Sequence, residues 1–297
     1  MKILVCTDES EQARDALRFT KTIVAASDAR ITLLGVTEKK ENQEKILEAL
    51  KQGQRSLQAK QLDVEIVPKA GPPIQEIIKC TKETEYDLVV IGVSKKSRRG
   101  PYLLSAKAYR IIKSITPPVL VVIGGGDKVN RVLVCSGGEN NLTKGLELVK
   151  EIGRLNKARI TLLHVLAEPP AIYSGMIKLQ KDADRLLSSH SLLGMKLRKE
   201  KEVLDERGLI TEVKLRLGSV SGEVIREIND GHYDLVVAGS SQVHGIFGRY
   251  ILGNVTRHIV NHAERPVLIV RTGGTVSRVS DYFKELLSEL IRRKKAA

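Results

Sequence analysis

The sequence predicts an α/β protein built twice: two tandem units, each a five-stranded, doubly wound parallel sheet with helices on both faces. Three observations predict it. Short apolar, β-branched runs alternate with longer polar segments of helical period. The runs are almost continuously apolar, as strands covered on both faces must be. The whole series also occurs twice, in the same order. Ile3-Leu4-Val5-Cys6 returns as Val132-Leu133-Val134-Cys135, 129 residues later, and Ile31-Thr32-Leu33-Leu34-Gly35-Val36 returns as Ile160-Thr161-Leu162-Leu163-His164-Val165 at the same offset. Tyr86-Asp87-Leu88-Val89-Val90-Ile91-Gly92 returns as Tyr233-Asp234-Leu235-Val236-Val237-Ala238-Gly239 at an offset of 147. Pro118-Val119-Leu120-Val121-Val122 returns as Pro266-Val267-Leu268-Ile269-Val270 at 148. The offset grows from 129 to 147, so copy two carries 18 extra residues between its second and third strands.

The elements follow in order. Copy one should place strands at 2–7, 30–36, 63–67, 87–93 and 118–123, and copy two at 130–136, 159–166, 210–217, 234–240 and 266–271. The first helix puts Ala13, Ala16, Leu17, Thr20 and Val24 on one face, a 3.6-residue stripe for packing on the sheet. Repeated strand–helix–strand units imply parallel pairing through right-handed crossovers. The join falls in Gly124-Gly125-Gly126-Asp127, which divides the chain into residues 1–124 and 130–272. Residues 174–207 read as a long helical insertion: an extended hairpin or lid beside the cleft, a contact arm, or a solvated helix covering the sheet. Residues 278–297 read as an amphipathic basic helix, with Phe283, Leu286, Leu287, Leu290 and Ile291 on one stripe. That stripe needs a cover: the protein's own body, a second chain or an anionic membrane surface.

Bulk composition narrows the classes. With 297 residues and 42% hydrophobic content the chain can bury a large core in about two domains. It has no apolar run long enough to span a bilayer, and it opens directly on a strand pattern without an export signal, so a cytoplasmic location is expected. Three cysteines with no CxxC spacing argue against a disulfide framework or a zinc site. The absence of Trp and scarcity of Phe argue against aromatic platforms for single-stranded nucleic acid. A net charge of +14 favours anionic ligands, anionic lipid or an acidic partner, although solubility accounts for it equally well.

In doubly wound sheets ligands bind beyond the carboxyl ends of the strands, at the switch point. The informative residues should therefore follow the first and fourth strands of each copy. In copy one the first strand ends at Asp8, with Ser10 placed to cap the next helix. A carboxylate there can accept from a ribose hydroxyl or a base amine, or simply belong to a turn. In copy two the fourth strand runs into Gly239-Ser240-Ser241-Gln242-Val243-His244-Gly245-Ile246-Phe247-Gly248-Arg249, and a helix is expected to begin near Gly248. Glycines allow main-chain N–H groups to approach phosphate, and a helix N-terminus adds a favourable dipole. The alternative is a plain connection. His258 and His262, four apart on a helix, lack an obvious third metal ligand and read as solvent-facing. Cys6 and Cys135 read as buried thiols. His164 stands where copy one has Gly35, to line the cleft or only to pack.

ILVCTDESEQA, the paired YDLVV(I/A)G strands and GRYILGNVTRHIVNHAERPVLIV resemble the universal stress protein family, over nearly the whole chain and in two tandem domains. The resemblance implies two Rossmann-like domains of the adenine nucleotide alpha hydrolase-like type. Many members bind ATP with an aspartate after the first strand and a G-x2-G-x9-G-(S/T) loop after the fourth; others lack the loop and do not. Members commonly dimerise through the fifth strand, which a tandem chain can make internal by joining 118–123 to 266–271. Carried over residue by residue, the pattern is incomplete in both copies. Copy one matches Asp8 and Gly92, but Lys95 replaces the second glycine and Ser105-Ala106 the final Gly-Ser. Copy two matches Gly239 and Gly253, with Asn254 for the Ser or Thr, but Gly137 stands at the aspartate position.

The resemblance therefore implies a cytoplasmic stress-response or regulatory protein. ATP or another adenine nucleotide is expected in the second domain, with Mg²⁺ accompanying ATP. The candidate contacts are Ser136, Gly137, Val165, Gly239, Ser240, Gly248, Gly253, Asn254 and Val255, with Asp8 in copy one. The alternative is an interaction module without nucleotide, associated with a transporter or another membrane protein, or self-associating. No nucleophile, base or metal set supports an enzyme beyond slow ATP hydrolysis.

Overall fold

The structure is a computed structural model, and it describes residues 1–24, 27–93, 105–124, 126–137, 143–166, 183–206, 208–242 and 250–272. The first half contains β1 (Lys2–Thr7), α1 (Glu11–Ile23), β2 (Arg30–Thr37), α2 (Gln43–Gln58), β3 (Asp63–Ala70), α3 (Pro73–Glu83), β4 (Leu88–Val93), α4 (Ala106–Ser114) and β5 (Val119–Ile123). The second half contains β6 (Arg131–Ser136), α5 (Thr143–Asn156), β7 (Arg159–Leu166), α6 (Ala183–Ser188), α7 (Leu192–Asp205), β8 (Ile210–Leu217) and α8 (Val220–Gly231). It continues with β9 (Leu235–Gln242), β10 (Tyr250–Ile251), α9 (Asn254–His262) and β11 (Val267–Thr272). The tail helix expected at 278–297 lies outside the described residues. No helix among the described residues is long and apolar enough to cross a membrane.

The two halves share one eleven-stranded sheet, in the order β3-β2-β1-β4-β5-β11-β9-β6-β7-β8, with β10 pairing β9. Pairing is parallel within each half, apart from β10, as β-branched strands separated by crossover helices require. At the centre β5 meets β11 antiparallel, with Val121 opposite Val267 and Val119 opposite Ile269. The fifth-strand pairing expected between domains is thus made within the chain. Val119, Leu120, Val121, Val122, Val267, Leu268 and Ile269 have no exposure at this seam. Apolar strands of this kind need a cover on both sides, and each provides the edge partner the other lacks.

Alternation along the strands builds two cores. One lies under α1, α2, α5 and α7 and includes Ile3, Val5, Phe19, Leu120, Val134, Leu197 and Leu268. The other lies under α3, α4, α8 and α9 and includes Leu4, Ile91, Ile112, Val121, Leu133, Val236 and Ile269. Both run across the seam, so the two domains fold around shared layers.

One expectation is refined and one revised. Within the 174–207 stretch, residues up to 182 lie outside the described residues, α6 is a short helix, and α7 is capped by Ser191, whose Oγ accepts from the Gly194 N–H at 3.1 Å. α7 packs on β8 as α2 packs on β3, so it is the ordinary crossover helix of the second domain. The helix expected from Gly248 begins at Asn254 instead, because Tyr250 and Ile251 pair antiparallel with Gln242 and Ser241.

Gly92 shows why the motif glycine is needed. A Cβ there would lie 2.0 Å from the Gln12 carbonyl oxygen, so β4 packs its backbone directly on the first turn of α1. Gly92→Ala is expected to cost about 2 kcal/mol by forcing that turn away. A urea melt reads the loss, and an unchanged midpoint would show that α1 has room to shift.

Candidate functional site

At the carboxyl ends of β1 and β4, the switch point of the first half, an open cleft of about 310 Å³ is present. Leu34, Val36, Ile74, Ile77, Ile91 and Ile111 give it an apolar floor. Asp8 stands at its exposed edge, and Ser105 and Lys107 at the start of α4 stand on another side. The local sequence explains the positions. β1 ends at Thr7 and leaves Asp8 beyond the sheet. The Asp8 carboxylate accepts from the Ser10 N–H at 2.9 Å and from its hydroxyl, while Ser10 Oγ caps α1 by accepting from the Ala13 N–H at 3.2 Å. Ser105 Oγ caps α4 in the same way, accepting from the Ala108 N–H at 3.2 Å. Lys107 sits in the first turn of α4, which holds no acidic residue. Burial pushes the Cys6 thiol on the cleft wall far up, so it is inert.

The second half places its candidates differently. Val165, the match of Val36, is buried on the α8 and α9 face, and Val255 packs against the same core. The Gly239 carbonyl accepts from Thr256 Oγ1 at 2.5 Å. Ser240 is fully buried and accepts from Arg271 Nη1 at 3.0 Å. Gly253 and Asn254 are exposed at the start of α9, which has no side-chain cap, and a Cβ on Gly253 would meet nothing within 4 Å. Gly248 lies outside the described residues. Gly137, at the aspartate position, is exposed, and its carbonyl accepts from the Lys196 ammonium.

Ser136 departs from its expected role. Its hydroxyl turns to the α7 face, opposite the side of the sheet on which the first-half cleft lies, and donates to Glu200 Oε2 at 2.6 Å. His164 also lies on that face, with Nδ1 3.2 Å from the Ser136 carbonyl oxygen, so it packs there and does not line a cleft. Burial pushes the imidazole down to about 4. Burial also raises the Glu200 carboxyl, against the opposing pull of Ser136 and Lys196, whose ammonium is 3.7 Å from Oε1. Lys196, Glu200 and Arg271 were missed in the sequence. A signal existed for Glu200, which falls on the apolar stripe of Leu197 and Leu204. Arg271 offered only its place at the end of an apolar strand.

The remaining candidates are structural. Cys135 is pushed up to about 12, chiefly by burial. His258 and His262 are half-buried and stacked, with ring centroids 3.9 Å apart, rather than solvent-facing. Burial and the neighbouring ring lower the His258 imidazole.

The sequence pattern of the universal stress protein family matches residues 1–122 and again residues 128–271. The chain belongs to the universal stress protein family. Among solved structures, a universal stress protein from Archaeoglobus fulgidus is similar at 20% identity and a TM-score of 0.69, over 92% of this chain and 98% of that one. A putative universal stress protein from Pseudomonas aeruginosa is similar at 16% identity and a TM-score of 0.63, over 91% and 93%. The cytoplasmic domain of a prokaryotic cation chloride cotransporter shares the fold at 11% identity and a TM-score of 0.52, over 90% and 94%. No curated protein matches the sequence. At these identities the neighbours speak for the fold, and the tandem universal stress arrangement accounts for the duplication, the switch-point cleft and the internal fifth-strand pairing.

Proposed function

We propose that this universal stress protein is a cytoplasmic regulatory binding protein whose first domain takes an adenine nucleotide. One observation carries the reading: a cleft of pocket size at the switch point, with an apolar floor for a base and the Asp8 carboxylate at its edge for ribose or amine donors. The reading moves the ligand from the second domain, where the sequence pattern led, to the first. In the second domain Gly137 replaces the carboxylate and the Ser136 and Ser240 hydroxyls are engaged by Glu200 and Arg271. A phosphate in the first cleft would lie toward Lys107 and the α4 N-terminus, and Mg²⁺ would enter only with the phosphates of ATP. The role is binding and not catalysis; a phosphate-release assay with ATP is expected to stay flat.

Titration calorimetry with AMP, ADP and ATP tests it. Asp8→Asn is the informative variant, because the Asn carbonyl oxygen can still accept from the Ser10 N–H while the charge is lost. About ten-fold weaker binding is expected from exchanging a charged acceptor for a neutral one. No heat from any of the three nucleotides would reject the reading. It would leave the second one, an interaction module without nucleotide, which the lost carboxylate at Gly137 favours.

A further inference from the structure

We propose that α4 couples the first-domain cleft to the corresponding carboxyl edge of the second domain, with Arg271 as the positioning residue that joins them. The proposal deepens the nucleotide reading by adding a regulation of the same cleft, but the mechanical link belongs to the chain with or without ligand.

α4 is engaged at three places. At its start, Ser105, Lys107 and Ala108 line the first-domain cleft. Along its flank it packs against β10, and the Tyr109 ring lies 5.6 Å from the Arg257 guanidinium of α9. At its end, Arg271 Nη2 donates to the carbonyls of Ile112 at 2.7 Å and Ile115 at 2.9 Å, while Nε donates to that of Pro117 at 3.1 Å. The same guanidinium reaches Ser240 Oγ in β9 through Nη1 at 3.0 Å. One planar cation therefore ties the last turn of a first-domain helix to the strand that leads into the second domain's glycine-rich loop. β10, which returns from that loop, leans on the same helix. A nine-residue helix is about 13 Å long and moves as a rigid body. A displacement at its cleft end must therefore reach β9 and β10. The link is asymmetric: the position matching Arg271 in the first domain is Ile123, which has no donor to give.

A hydrogen-exchange cycle on the full chain tests this without relying on nucleotide. Ser105→Ala removes the cap and loosens the start of α4, and is expected to speed exchange there about five-fold. Amides of 240–242 and 250–252 are expected to speed up too, by two-fold or more. In an Arg271→Lys background the same cap removal should leave those distant amides unchanged. Ser240→Ala, which spares the seam, is the second background and should also blunt the transmission. If the distant amides ignore Ser105→Ala in the wild type, or respond equally in all three backgrounds, the proposal is overturned. AMP added to the wild type reports separately on the nucleotide reading, through protection of residues 7–13 and 105–111.

Discussion

Arg271→Ala is expected to be among the most damaging single substitutions in the described chain, costing on the order of 3 kcal/mol. The side chain closes the seam between the halves. It donates to three main-chain carbonyls of the first domain within 3.1 Å and to Ser240 of the second. Two of those carbonyls, of Ile112 and Ile115, lie at the carboxyl end of α4, where the helix dipole also favours a cation. Truncation removes the charge and leaves these acceptors without their donor, which costs more than the net value of the bonds. For a chain of this size the melting temperature should fall by roughly 6 °C. Arg271→Lys should fall between, since one ammonium cannot span acceptors set out for a planar fork. Thermal melts of the three proteins check this. A melting temperature within a degree of wild type for Arg271→Ala would mean that the β5–β11 pairing and the shared cores hold the halves together without it.

Acid should weaken the second domain through His164. In the folded protein burial holds this imidazole neutral down to about pH 4, whereas an unfolded chain protonates it near 6.5. Between those values the unfolded state binds more protons, so folding stability is complete above pH 6.5 and is lost as pH falls toward 4. The shift corresponds to about 3 kcal/mol. Glu200, which meets the same Ser136, carries the opposite sign. Its carboxyl is raised, so its contribution is present below the unfolded value and declines as pH rises through the folded one. His164→Gln should flatten the loss between pH 6.5 and 4 and leave the Glu200 contribution in place. Urea denaturation at pH 7, 5.5 and 4.5 reads both. If wild type and His164→Gln lose stability in parallel across that range, the imidazole is not the acid-sensitive group.

The ten principal strands were legible because most are local runs of apolar, β-branched residues and the edge strands β3 and β8 alternate apolar with polar ones, and most observed ends fall within a residue or two of the expected ones. β3 runs to Ala70, past the expected end at 67, because Val67-Pro68-Lys69-Ala70 carries no apolar run, yet pairs with β2 along its length. β10 was missed for a related reason. Two residues hold no period, and Tyr250 and Ile251 become a strand only because β9 lies beside them. The place of Asp8 at the cleft edge was legible because a carboxylate following a buried strand lies beyond the end of the sheet. Ser136 was misread because its spacing gives the strand end but not the face. The step from Gly137 back to Ser136 turns the side chain through the sheet to Glu200.

Taken alone, the sequence determined the strand–helix alternation, the duplication and the end of the sheet at which the switch-point cleft lies. These depend on periodicities of two and 3.6 residues and on chain direction, all local properties. Tertiary structure decided that the first half holds an open cleft at its switch point, that β5 and β11 meet antiparallel, and what Arg271, Lys196 and Glu200 touch. Most of those outcomes depend on groups separated by tens to more than a hundred residues, and the contacts of Arg271 with α4 exist only once the two halves have joined. The bond from Arg271 to the Ile112 carbonyl crosses 159 positions, and no pattern within either helix or strand records it.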